Sequence, residues 1–271
     1  MSDSEAGGAS YDVAGYAFRI GWEGRSGQSI AARLFASSRV DVVPAQAASY
    51  GIYRRGEALE ARCGESVIAT ADSEMELAAH LDAHIANAAL EHLTGAVAIH
   101  AGAVARGDRT VVLAGTGGSG KTTLCLALCL AGLQPLCDDM LLVEEGGRQV
   151  RALPRSFLVK GDTGTWLAER LPGVRGCAFG DGLYSVPREA LGAPLDEAVP
   201  THIVFPTYVP GAPVRLEPLG QLAAMERLLP LACLPYQKLF GVVEVVRRAA
   251  PYALVYGSRE AAALALQGLV A

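Results

Sequence analysis

Residues 115–122 read Gly-Thr-Gly-Gly-Ser-Gly-Lys-Thr, directly after the apolar run Val111, Val112, Leu113 and shortly before the apolar run 124–130. The pattern G-x-x-x-x-G-K-[ST], set between a strand and a helix, commits the chain to one kind of turn. The glycines let successive backbone N–H groups point inward with no Cβ in the way, and the helix N-terminus adds its partial positive charge. Such a turn is a phosphate cradle. The spacing assigns Gly115, Thr116, Gly117, Gly118, Ser119, Gly120, Lys121, Thr122 and Thr123 to a nucleotide's phosphates. Lys121 is expected to reach the terminal phosphates and the Thr122 hydroxyl to meet Mg²⁺.

A strand–loop–helix unit needs a sheet around it. The chain has 271 residues, 51% hydrophobic and 19% charged, enough for one large domain or a domain with a smaller appendage. Residues 1–10, small and polar, read as a disordered tail. From residue 11 to about residue 70, short runs such as YAFRIGW, VDVVPA, SYGIYRRG, ALEARCG and SVIATA are broken by Gly and Pro, and several alternate apolar with polar, as strands do. The period then changes: Leu77, Leu81, Ile85, Ala89 and Leu93 recur at helical spacing, Ser73 and Glu76 form a capping box, and Gly95 ends the run. The expected organisation is a tail (1–10), a β-rich N-terminal region with its helix (11–94) and a phosphate-loop domain (95–271). The last is expected to be α/β, a mixed sheet with flanking helices. In it AVAIHAGAVA and TVVLAG pair through Arg-Gly-Asp, and MLLVEE and RQVRALP form a second hairpin. PTHIVFPTYVPG supplies a later strand, and three helical runs follow with PYALVYG between the last two.

The residues around the loop add chemistry. Gly132 ends the loop helix and Pro135 bars its continuation, so PLCDDMLLV reads as a short strand with Asp138 and Asp139 in its middle. Asp138 follows Lys121 by only 17 positions, room for the helix and one return to the sheet. Two adjacent acids suggest two jobs, one ordering a metal and the other taking a proton from an attacking hydroxyl. Neighbours on an ideal strand face opposite sides, so both serve one site only if the strand ends or bends there. One functional and one structural Asp is the alternative. His100, on the strand beside the one that enters the loop, is placed to meet the terminal phosphate or the acids; a half-buried sheet histidine is the alternative.

Composition excludes some classes. A net charge of −5 argues against nucleic acid as partner. The six cysteines form no CxxC pair and read as buried small hydrophobes in a reducing compartment, while His80 and His84 do not complete a metal site. The first residues lack the basic and apolar regions of a signal peptide, and no apolar run reaches membrane-spanning length, so a cytoplasmic chain without membrane contact is expected.

HAGAVA, GTGGSGKTT and CDDMLLV, in that order, resemble the C-terminal kinase domain of the HPr kinase/phosphorylase family, a phosphoenolpyruvate-carboxykinase-like branch of phosphate-loop folds. The resemblance runs from about residue 97 to residue 144. It implies ATP and Mg²⁺ as ligands, Asp138 as the acid that activates a serine hydroxyl, Asp139 as its metal-side neighbour and His100 beside the transferred phosphate. It further implies a peptide or small-protein acceptor, and it makes a homo-oligomer plausible. Cys137 stands where that family usually has Ala, and the family's glycine-rich second signature is absent, which points away from HPr itself. The layout looks more like stand-alone kinases of peptide natural-product clusters, some of which phosphorylate a serine of a lasso-peptide precursor. RALPRSFLVK resembles a basic segment of such proteins, which assigns Arg155 and Lys160, with Arg151 behind them, to phosphate or acidic-substrate contacts. A small-molecule kinase and a nucleotide-binding regulator without phosphotransfer are the alternatives.

Overall fold

A computed structural model describes residues 6–180, 182–233 and 239–271. Along the chain run β1 (Ala6–Val13), β2 (Tyr16–Glu23), α1 (Gly24–Leu34), β3 (Arg39–Val40), β4 (Ala48–Arg55), β5 (Ala58–Cys63), β6 (Ser66–Ala71) and α2 (Glu74–Glu91). Then come β7 (Ala96–Arg106), β8 (Arg109–Ala114), α3 (Lys121–Leu130), β9 (Gln134–Cys137), β10 (Met140–Glu144), β11 (Val150–Ala152), β12 (Phe157–Lys160) and α4 (Asp162–Arg170). The remainder is β13 (Ala178–Phe179), β14 (Leu183–Val186), β15 (Glu197–Ala198), β16 (His202–Tyr208), β17 (Arg215–Pro218), α5 (Gln221–Leu228), β18 (Ala232–Cys233), α6 (Leu239–Arg248), β19 (Ala250–Tyr256) and α7 (Arg259–Gln267).

The chain divides into two compact units, Met1–Leu93 with Pro154–Pro187, and Thr94–Leu153 with Arg188–Ala271. The first unit holds a six-stranded sheet, β3-β1-β2-β4-β5-β6, and a small sheet, β12-β14-β13. Its hairpins are cut by two-residue turns: Ala14 and Gly15 both take positive φ, and Gly56 and Gly64 open the next two. β1 begins at Ala6, within the stretch expected to be a disordered tail, because Ala6 to Val13 pair along the whole of β2. The stretch read as strands also contains a helix, α1. Its glycines and serines hid the 3.6-residue period, but Ile30, Ala31 and Leu34 make a buried face, and Gly27 lies so close to β2 that a Cβ there would stand 2.8 Å from the Trp22 Cβ. α2 starts as expected, with the Ser73 hydroxyl accepting from the Glu76 N–H at 3.2 Å.

Residues 154–187, expected in the phosphate-loop domain, are stapled into this first unit. The Ser156 and Ser185 hydroxyls donate to the Arg33 carbonyl at 3.1 and 2.8 Å, and the Arg33 guanidinium donates to the Ala178 carbonyl. Ser38 donates to the Pro154 carbonyl. Asp82 of α2, 3% exposed, forms an ion pair with Arg155, whose Nε donates to Oδ1 at 3.1 Å. Taking away one partner of so buried a pair strands the other's charge. Asp82→Ala is therefore expected to lower unfolding free energy by about 3 kcal/mol in a denaturant titration, whereas the paired apolar change Asp82→Leu with Arg155→Met recovers most of it.

The second unit carries a ten-stranded mixed sheet, ordered β15-β11-β10-β7-β8-β16-β19-β17, with β9 and β18 also on β7. Both expected hairpins form. β7 and β8 meet antiparallel through Gly107 and Asp108, and β10 pairs β11 from Leu141 to Val143. β8, β16 and β19 run parallel to one another, as βαβ crossovers require. α3 is buried nearly all round, from Leu124 to Cys129, with α7 beside it. It stops in a Schellman turn: Gly132 at φ +91° sends its N–H to the Cys129 carbonyl, and the Leu133 N–H reaches the Leu128 carbonyl. The expected α/β architecture, a mixed sheet with flanking helices, is the one present. Gln237 and Lys238, read as the start of a helix, lie outside the described residues; α6 is described from Leu239.

Candidate functional site

The glycine-rich loop leaves the end of β8. The Gly115 N–H donates to the His100 carbonyl at 3.4 Å, and the Leu124 N–H closes the first helical bond on the Gly120 carbonyl at 3.0 Å. Gly118 and Gly120 take φ of +82° and +93°, where any side chain is strained. At Gly120 the need is absolute, because a Cβ would run into the Tyr256 hydroxyl; at Gly117 and Gly118 the space beyond the backbone is open. Lys121, 6% exposed, lays its ammonium across the loop, donating to the Gly115 carbonyl at 2.7 Å and the Thr116 carbonyl at 3.1 Å. Thr122 and Thr123 continue into the first turn of α3. The Ser119 hydroxyl is buried with no hydrogen-bond partner among the described residues. A buried cation, an orphan hydroxyl, open glycine backbone and a helix N-terminus together suit a polyanion.

The acids stand at the same level on the other edge of β7. β9 pairs β7 up to Ala103↔Cys137, and β10 resumes at His100↔Met140, so Asp138 and Asp139 fill a break between two strands. β8 reaches its last pair at Ala101↔Ala114. Acids and loop are thus two strand spacings apart, about 10 Å between backbones. The one continuous strand expected over PLCDDMLLV is corrected to two, with Asp138 and Asp139 between them. Asp138 is 9% exposed, and Asp139 is about half exposed.

His100 connects the two halves. Its carbonyl takes the first N–H of the loop, while its Nδ1 lies 3.0 Å from the Asp139 carbonyl and 3.1 Å from the Asp139 Oδ1. Both are acceptors, so Nδ1 carries the proton. Behind Asp138 the floor is sulfur. Burial, and after it the Asp138 carboxylate, pushes the Cys125 and Cys137 thiols well above their ordinary range and that of Cys129 up to about 12. They stay neutral donors: Cys125 to the Cys137 carbonyl at 3.9 Å, Cys137 to the Ala101 carbonyl at 3.6 Å.

Two contributors were not singled out in the sequence. Tyr256, at the end of β19, sets its hydroxyl 3.5 Å from the Gly120 carbonyl, and nothing in VYGS announces that. Gly102 did leave a signal, a lone glycine inside an apolar strand, which marks a close approach. A Cβ there would stand 2.6 Å from the Cys125 Sγ and 2.7 Å from the Asp138 carbonyl. Gly102→Ala is therefore expected to push the acid bend outward and to destabilise the chain by about 2 kcal/mol in a denaturant melt.

Arg155 and Lys160 belong to the first unit. Arg155 is engaged by Asp82, and Lys160 is exposed at the end of β12. Arg151, on β11, lies 3.4 Å from Glu144. Among the described residues no group of three or more His, Cys, Asp or Glu side chains is gathered to hold a metal. No described helix is long and apolar enough to cross a membrane.

Fold and loop together define the class: a mixed α/β protein whose glycine-rich turn opens beside a pair of carboxylates. No family model matches the chain, and no curated protein matches it. Among solved structures it is similar to the HPr(Ser) kinase/phosphatase from Coxiella burnetii, with 16% identity and a TM-score of 0.34, over 64% of this chain and 93% of that one.

Proposed function

We propose that the chain is an ATP- and Mg²⁺-dependent kinase that phosphorylates a Ser or Thr hydroxyl of a peptide or small protein, a ribosomal precursor peptide of the lasso type among the candidates. The observation that carries this reading is the strand break that sets Asp138 and Asp139 level with the loop, tied to it through His100. A site that only holds Mg²⁺ and phosphates is served by one carboxylate, on the metal side, which leaves the second for the acceptor hydroxyl.

In the proposed reaction the acceptor hydroxyl oxygen bonds to the γ-phosphorus as the bond from that phosphorus to the β–γ bridging oxygen breaks, and ADP leaves with the bridging oxygen. Asp138 takes the hydroxyl proton. Lys121 exchanges its two loop carbonyls for phosphate oxygens, and the loop N–H groups hold the rest. The Thr122 hydroxyl and the Asp139 carboxylate are the residues that would hold Mg²⁺, which when bound neutralises phosphate charge. The Nδ1–H of His100, within reach of the Asp139 carbonyl and Oδ1, is proposed to hold that carboxylate in place. Lys160, exposed, is proposed to meet acidic acceptor groups, whereas Arg155 is engaged by Asp82.

The test is transfer of label from [γ-³²P]ATP to the peptides encoded beside the gene, with ADP followed in parallel. Acceptor-dependent ADP and a labelled Ser or Thr are expected. Tight ATP binding with no acceptor-dependent ADP would instead identify a nucleotide-binding regulator.

A further inference from the structure

A cavity of about 510 Å³ opens on the far side of the glycine loop from the acids. Its one wall is the loop, residues 114–119; the other is the end of β16, residues 205–208, with Glu226 and Arg227 of α5. The sheet order decides what this position means. The acids lie on the β7 side of β8, and the cavity lies on the β16 side. A triphosphate in the loop with its terminal phosphate toward Asp138 and Asp139 turns its nucleoside end toward β16, where the cavity waits.

The lining has the chemistry of a flat heteroaromatic ring. Phe205 is 6% exposed, and the Arg227 guanidinium sits 5.8 Å from its ring centroid, a planar cation over an aromatic face. Tyr208 adds an aromatic face, half exposed, at the same end of the strand. Glu226 and Thr207 line the cavity with a carboxylate and a hydroxyl, acceptor and donor for the edge of a base. The volume falls in the range of small-molecule sites, and an apolar wall with a few polar groups is their usual make-up.

We infer that this cavity is the nucleobase subsite of the nucleotide, taking a purine ring between the loop and the Phe205–Arg227 wall. The inference rests on the nucleotide reading above and adds to it where the base goes. Arg227 and Thr207 are exposed, so they can be changed without opening the core. Arg227→Ala removes the stacked guanidinium; Thr207→Trp fills the cavity.

The experiment titrates the full chain and both variants with Mg²⁺·ATP and with Mg²⁺·tripolyphosphate by calorimetry, with thermal melts of the unliganded proteins as the fold control. Each variant is expected to weaken ATP about tenfold or more, as loss of one base-stacking partner does, and to leave tripolyphosphate within about twofold. Unchanged ATP binding in both variants overturns the inference. So does equal weakening of both ligands, which would make the Phe205–Arg227 wall part of the phosphate site and not of the base site. Wild-type chain that binds tripolyphosphate as tightly as ATP keeps the loop reading and overturns the base subsite. Wild-type chain that binds neither overturns both. If one variant melts early, the other decides.

Discussion

Asp138→Asn is expected to bind Mg²⁺·ATP with near wild-type affinity and to lose phosphotransfer by about a thousandfold, the scale on which a positioned general base acts. The amide is nearly the size of the carboxylate, so the bend between β9 and β10 and its sulfur floor have no steric reason to move. What disappears is the ability to accept a proton. Asp139→Asn separates the two roles, because a metal-side carboxylate is expected to show itself as a higher Mg²⁺ requirement at partly retained turnover. Labelling of the acceptor with ³²P at near wild-type rate by Asp138→Asn would remove the residue from the mechanism and leave the loop reading standing.

Lys121→Ala carries the second large effect. Lys121 is a buried cation whose two hydrogen bonds go to loop carbonyls, so its removal takes away a phosphate partner and a brace of the loop together. Losing one preorganised donor at a transferring phosphoryl group costs about 3 kcal/mol, a hundredfold or more in turnover. A parallel loss in ATP affinity, read by calorimetry, is expected here and not for Asp138→Asn, and that contrast tells the two roles apart. Lys121→Arg is not expected to rescue, since the planar guanidinium does not fit where a compact ammonium reaches two carbonyls of one turn. An alanine variant with unchanged ATP affinity and turnover would place the nucleotide elsewhere.

Much of the site was legible because its signals are local. The cradle follows from glycine spacing, since φ beyond +80° at Gly118 and Gly120 is a demand that few residues meet. The β7–β8 hairpin follows from a two-residue glycine turn between apolar runs, and the end of α3 from Gly132. The same locality explains the errors. α1 escaped because Gly24, Ser26, Gly27 and Ser29 hide its period, and Gly27 is there for a contact with Trp22 that lies in the fold and not in the helix. The tail became a strand because Ala6 to Val13 find a partner in β2. Residues 154–187 left the expected domain because Asp82, Arg33 and Ser38, all more than 70 positions away along the chain, hold them.

By itself, the order of residues determined that a glycine loop follows an apolar strand, that a helix follows the loop over residues 124–130, and that two acids and a histidine flank it in the chain. Those are properties of short segments, set by backbone sterics and hydrophobic period. Only the tertiary structure decided that the acids sit in a break and not in a strand, because the break exists where β9 and β10 share one edge of β7. It also decided that His100 reaches Asp139, that Tyr256 closes over Gly120, and that a cavity lies beyond the loop. Each depends on which strands become neighbours, and pairing across a sheet joins residues whose separation along the chain carries no trace of their contact.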